Sequence, residues 1–171
     1  MQHVTIYRER GRFAGWPANY GIWRWPGAGA AEDEIVVGFT LGYHRSDAAF
    51  HARDRERPFA TMQARSLNGG ETWEVVPFTG NTPAGRALSA DEHMVDALGV
   101  GAALKDPAAP HRPVDPPGGI AFTHPDFALL CARTGLRRGV RSFFYHSNDR
   151  CHTWQGPFWL PGWGQPGIAA R

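Results

Sequence analysis

Ser66-Leu67-Asn68-Gly69-Gly70-Glu71-Thr72-Trp73 returns in altered form as Ser147-Asn148-Asp149-Arg150-Cys151-His152-Thr153-Trp154. Ser, Thr and Trp keep their offsets, so the two octets form an internal repeat. Each follows a run with strand character: Ala60 to Arg65 leads into the first, and Ser142-Phe143-Phe144-Tyr145-His146 into the second. That context makes each octet a hairpin turn. Ser, Asn and Asp oxygens accept backbone N–H groups a few residues on, and Gly69 and Gly70 admit positive φ at little cost. Trp73 and Trp154 are expected to fold back and bury their rings between neighbouring sheets, each indole N–H finding an acceptor.

These residues resemble the Asp-box, or bacterial neuraminidase repeat, whose pattern is Ser-x-Asp-x-Gly-x-Thr-Trp. Ser66, Gly70, Thr72 and Trp73 match in the first copy, with Asn68 in place of Asp; Ser147, Asp149, Thr153 and Trp154 match in the second, with Cys151 in place of Gly. The resemblance implies an all-β chain, an incomplete sialidase-like β-propeller holding about two of six blades, each a four-stranded antiparallel sheet. By itself such a box marks fold more than activity.

Composition agrees with that class. The 171 residues suffice for one domain with a sizeable core. A load of 21 Gly and 14 Pro disfavours a helical bundle, while seven Trp and ten Phe suit short strands packed through large rings. Eighteen basic against 16 acidic side chains, a net charge of +2, is too balanced for a nucleic-acid binder. No apolar run approaches the roughly 20 residues that span a bilayer, so no membrane partner is expected. At the N-terminus Val4 and Ile6 alternate with Thr5 and Tyr7 as in a strand, not a signal peptide, which implies a cytoplasmic chain. Cys131 and Cys151, one in a strand and one in a turn, make no disulfide framework. His51 and Asp54 raise a metal question, but zinc-type His or Cys spacing is absent, as are a phosphate loop and a nucleophile elbow. No metal or cofactor is expected.

Taken in order, residues 1–171 read as a single partial propeller domain. A strand covers 3–8, and Gly11 to Ala18 is loop. The first blade, 19–78, holds strands at Asn19 to Trp25, Glu34 to Thr40, Ala60 to Arg65 and Trp73 to Phe78, with a charged loop from Tyr43 to Pro58. The boxes lie 81 residues apart, beyond the roughly 40–50 of one blade, so 79–119 is an Ala/Pro/Gly-rich insertion. Within it Ser89-Ala90-Asp91-Glu92 has capping-box spacing ahead of Met94, Val95 and Leu98, which predicts a short helix. The second blade, 120–161, runs through Ile120 to Phe122, Phe127 to Ala132, a hairpin at Thr134 to Gly139, Val140 to His146 and Trp159 to Pro161. Residues 162–171 look like the start of a third blade, so the remaining blades are expected to be missing and the strand at 3–8 to lack its partner.

Three stretches carry candidate chemistry. Ile22-Trp23-Arg24-Trp25-Pro26 resembles the Arg-Ile-Pro element of sialidases, which implies that Arg24 is one of three arginines clamping the substrate carboxylate. A guanidinium offers the rigid two-pronged donor such a clamp needs, and the flanking tryptophans would hold its plane. An Arg snorkelling from a strand or stacking on a ring is the structural alternative. In the same family the acid/base is an Asp about a dozen residues before the first box. Asp54 stands 12 residues before Ser66, and Asp47, at 19, is its rival and a candidate ligand contact. The acid must protonate the leaving glycosidic oxygen, which asks for a pKa raised by burial. Arg53, Arg55 and Arg57 crowd Asp54 and favour its charge, as in a solvated charge run. In Thr123-His124-Pro125-Asp126, at the head of a strand, His124 and Asp126 could bind sugar hydroxyls, or Asp126 could accept a structural hydrogen bond.

The resemblance therefore implies part of an exo-sialidase-like glycoside hydrolase that cleaves terminal sialic acid, or a related acidic sugar, from a glycan substrate. Enzymes of that family use a Tyr nucleophile activated by Glu, supplied with the other two arginines by later blades. The 171-residue chain is accordingly expected to be inactive alone and prone to associate. The alternative is a non-catalytic Asp-box module that binds glycan or protein through its tryptophan-rich strands.

Overall fold

The computed structural model describes residues 3–27, 32–47, 52–82, 108, 111–133 and 141–161. The described residues form antiparallel strands with one four-residue helix, and the chain divides into two compact units: Met1–Asp54 with Phe59–Phe78, and Arg55–Pro58 with Thr79–Arg171. The expected helix at Ser89 to Leu98, the hairpin at Thr134 to Gly139, His51 and residues 162–171 lie outside the described residues.

The first unit contains β1 (Arg12–Gly15), α1 (Pro17–Tyr20), β2 (Ile22–Trp25), β3 (Glu34–Tyr43), β4 (Ala60–Ser66) and β5 (Glu74–Pro77). β3 is buried along nearly its whole length, which is why Glu34 to Tyr43 reads as a continuous apolar run and takes the middle of the sheet. On one side β4 pairs with it and β5 follows; on the other, β1 and β2 share a single edge. β1 lies opposite Thr40 to Tyr43, and β2 opposite Glu34 to Val37. The sheet therefore has five strands in four rows, where one continuous strand was expected on that edge.

Between those two half-edges the chain steps out as α1. Pro17 fits the first helical turn, and Gly21, at φ 90°, ends it by donating its N–H to Pro17 O. Gly38 donates to Gly21 O at 2.9 Å, and a Cβ on Gly38 would come within 2.4 Å of Tyr20 O. Only a glycine permits that crossing. Accordingly the stretch Gly11 to Ala18, expected as loop, holds β1, and the strand expected from Asn19 begins at Ile22.

Residues 3–8 are not a strand. Consecutive Ile6 and Tyr7 both pack against the cluster of Phe39, Leu41 and Ala64, whereas a strand would send neighbours to opposite faces. Burial of such side chains is worth about 2 kcal/mol each, more than the net gain of one ladder hydrogen bond. Docking on the face thus wins over pairing at an edge.

In the second unit β6 (Ala128–Arg133), β7 (Ser142–Ser147) and β8 (Gln155–Trp159) form a three-stranded meander. Val114, from the expected insertion, adds a parallel bridge to Phe158 through Val114 N to Pro157 O and Trp159 N to Val114 O. The strand expected at Ile120 to Phe122 is a series of turns instead, because Phe122, His124 and Phe127 donate to the carbonyls of Ile120, Ala121 and His124. Short-range bonds of that kind consume the groups a ladder would need. Cys131 and Cys151 are free thiols. No helix among the described residues is long and apolar enough to cross a membrane.

Candidate functional site

The two boxes close the β4–β5 and β7–β8 hairpins with one hydrogen-bond scheme. In the first, Ser66 Oγ accepts from Gly70 N at 2.8 Å and from Asn68 N at 3.4 Å, and donates to Asn68 Oδ1 at 2.9 Å. Asn68 Oδ1 also accepts from Thr72 N, and Nδ2 donates to Thr72 Oγ1. In the second, Ser147 Oγ accepts from Cys151 N and Asp149 N and donates to Asp149 Oδ1; the Asp149 carboxylate accepts from Thr153 N and Oγ1. Burial pushes the Asp149 carboxyl up, but the hydrogen bonds from Ser147 and Thr153, with nearby His152, outweigh it and hold the pKa below the usual value. Trp73 donates its indole N–H to Gly70 O at 2.9 Å and packs on the Phe39 cluster, and Trp154 is buried.

Strand register makes the repeat longer than the octets. Ser66 lies opposite Ile35 and Ser147 opposite Ala128, so Asp33 and Asp126, each two residues earlier, are equivalent. Their carbonyls accept from the same box position, Gly69 N at 3.0 Å and Arg150 N at 3.1 Å. Each aspartate also pairs with an arginine, Asp33 with Arg24 and Asp126 with Arg150.

This register gives three expected ligand contacts partners within the chain. Arg24 sits at the box end of β3, opposite Ile35, in an ion pair with Asp33. Strand alternation sends the flanking Trp23 and Trp25 to the other face, so they do not hold the guanidinium plane. Asp126 anchors the second box, and His124 Nδ1 accepts from Asp126 N within the turn.

Asp54 and Asp47 belong to the opposite end of β3. Asp54 N donates to Tyr43 O at 2.8 Å. Eight residues separate Ile35 from Tyr43, so Arg24 and Asp54 are set apart by about 27 Å of antiparallel strand. They do not face one another. Around Asp54 the structure gathers Arg45, whose guanidinium is 3.9 Å from Asp54 Oδ1 and 2.9 Å from Asp47 Oδ1. The hydrogen bond and charge of Arg45 hold the exposed Asp47 carboxyl below its usual value, which leaves it an anion rather than a general acid. The Asp54 side chain is 18% exposed, the more enclosed of the two.

The charge run through this loop is not a solvated face throughout. Arg53 is 1% exposed, with its guanidinium 4.6 Å from the Phe59 ring and 5.4 Å from that of Trp16, while Arg55, Glu56 and Arg57 are exposed. A strand bridge between His44 and Arg53 closes the base of the loop.

Two features at this end were not singled out from the sequence. Arg12, opposite Tyr43 on β1, donates Nε to Gly42 O and lays its guanidinium 4.6 Å from the Tyr43 ring. Tyr7 donates its hydroxyl to Glu9 at 2.5 Å, and Glu9 O accepts from Arg12 N. Burial and the Glu9 carboxylate push the Tyr7 phenol above its ordinary value. The available signal was Arg-Glu-Arg-Gly-Arg at residues 8–12, but only the pairing of β1 with β3 brings it beside Tyr43. Among the described residues no group of three or more His, Cys, Asp and Glu is placed to hold a metal ion. Comparison with protein-family models, with curated proteins and with solved structures finds no match to this chain.

Proposed function

We propose that this chain contributes to an exo-sialidase-like glycoside hydrolase acting on terminal sialic acid or a related acidic sugar, with the ligand end at Tyr43 rather than at the boxes. The observation that supports this most is the pairing of Arg45 with Asp47 and Asp54 at the end of β3 away from the Ser66–Trp73 turn, the end where Arg12 lies opposite Tyr43. Arg45 and Arg12 are the cations to which a sugar carboxylate would bind, replacing Arg24 in that role. Asp54 is the acid/base: a substrate carboxylate competes with it for Arg45, and enclosure by the sugar favours the protonated acid that the leaving oxygen needs.

Saturation-transfer NMR with free sialic acid, alongside turnover of a fluorogenic sialoside, tests the reading. Binding should fall about tenfold or more in Arg45→Ala and stay unchanged in Arg24→Ala. The opposite pattern, or no binding by the unmodified chain, removes the proposal. The second reading, a non-catalytic Asp-box module, is favoured by the engagement of Arg24 and Asp126 in box anchoring. It predicts binding that Arg45→Ala leaves unchanged.

A further inference from the structure

His146 on β7 is 3% exposed, and neither ring nitrogen has a hydrogen-bond partner. Its imidazole lies between two phenyl rings: Phe127 at 6.3 Å with an 18° interplanar angle, and Phe158 at 5.8 Å with 24°. Each phenyl ring in turn meets another at a tilt, Phe158 with Phe144 at 5.7 Å and 53°, and Phe127 with Phe122 at 5.5 Å and 60°. Both end members, Phe122 and Phe144, line a cavity of about 330 Å³ together with Leu129, Ile120, Pro116 and Leu160.

A neutral imidazole in such a place still leaves one N–H without an acceptor, a cost of about 1–3 kcal/mol. Protonation adds a second donor and a charge, and among the described residues no carboxylate pairs with the ring. On β6 the residue opposite is Leu129, with Cys131 and Arg133 further along the same face; on β8 it is Gln155, with Phe158 beyond. On the turn segment that carries Phe127, Asp126 is committed to Arg150, and His124 Nδ1 accepts from Asp126 N. Burial pushes the imidazole below its ordinary pKa.

We propose that His146 is an acid-sensitive latch: its protonation frees the turn segment 120–127, carrying Phe122 and Phe127, from the face of the second sheet and widens the apolar cavity that Phe122 and Leu129 line. The segment yields because the other wall is fixed. Phe158 sits in a paired strand with the Val114 bridge on its far side, whereas Phe127 precedes β6 and is held by short turn bonds. The Arg150–Asp126 pair restrains the hinge next to Phe127, so the opening is local. The sign follows from proton binding: below about pH 6.5 the exposed imidazole takes up a proton that the stacked one resists, so the closed state loses stability as pH falls.

The test is a pH series from 7.5 to 5 on the full chain, read by an apolar-surface dye, by the His146 ring signals and by hydrogen exchange at the Phe127 and Ala128 amides. Dye fluorescence should rise in step with His146 protonation, and amide protection at Phe127 and Ala128 should fall over the same pH interval. His146→Phe, which keeps the stack without a titratable group, should show neither change. A flat response of the unmodified chain, or an unchanged response in His146→Phe, overturns the proposal. If that variant does not fold, the exchange data decide alone: protection that does not follow the His146 titration defeats it.

Discussion

One residue ahead of the box serine the first sheet carries Arg65 and the second His146, and one residue ahead of the partner strand's matching position they carry Glu34 and Phe127. The same register thus holds an ion pair in one sheet and a ring stack in the other. The first arrangement satisfies a largely buried guanidinium with a carboxylate; the second leaves a buried imidazole among rings. An identical backbone scheme tolerates both because the box turn is closed by its own side chains and does not depend on what precedes it. The second sheet therefore carries a titratable ring without a hydrogen-bond partner where the first carries an ion pair.

Breaking the ion pair should cost most. Arg65→Ala leaves Glu34 buried beside an empty position, and a loss of about 3 kcal/mol is expected in the first sheet. Native-state hydrogen exchange of the β4 amides measures it, and protection in β7 should not change. The box serines come next. Ser147→Ala strands the Cys151 and Asp149 N–H groups and removes a donor to an anion, about 2 kcal/mol. Ser66→Ala, whose donor goes to the neutral Asn68 amide, should cost about 1 kcal/mol in the same experiment, so equal losses would contradict the assignment of charge to Asp149.

A smaller effect separates the boxes by pH. The Asp149 carboxyl is held below its usual value, so the second box keeps its stabilisation above about pH 4 and loses it as pH falls through the depressed native value. Asp149→Asn should cost about 1 kcal/mol at neutral pH and flatten the dependence below pH 4, because an amide can reach the threonine hydroxyl as Asn68 reaches Thr72. Denaturant midpoints between pH 2 and 7 show it. The smallest change is expected for Arg150→Gly. Arg150 and Cys151 stand at φ 55° and 67° where the first box has Gly69 and Gly70, so glycine relieves about 1 kcal/mol of left-handed strain. Loss of the half-exposed pair with Asp126 offsets most of that, leaving a net effect near zero.

The boxes were legible because the serine, Asn or Asp and threonine bonds within each join residues no more than four positions apart. Serine, Asn or Asp, threonine and a pair of permissive turn positions are enough to write such a corner. β3 was legible for a different reason: burial on both faces leaves a continuous apolar run. Residues 3–8 misled, since alternation of Val4 and Ile6 with Thr5 and Tyr7 resembles strand pattern, yet Ile6 and Tyr7 both turn to the core.

What the sequence determined by itself, then, is the pair of turn-closing octets, the antiparallel hairpins they join and the all-β class. Tertiary structure decided which end of the sheet each charged residue occupies. Arg24 and Asp54 are 30 positions apart in the chain, and whether they share a site depends on how β2 and the Asp54 loop register against β3. Pairing across strands is non-local, and one residue of slip moves a side chain to the other face. That register sent Arg24 to Asp33, brought Arg12 to Tyr43 and placed His146 between two rings.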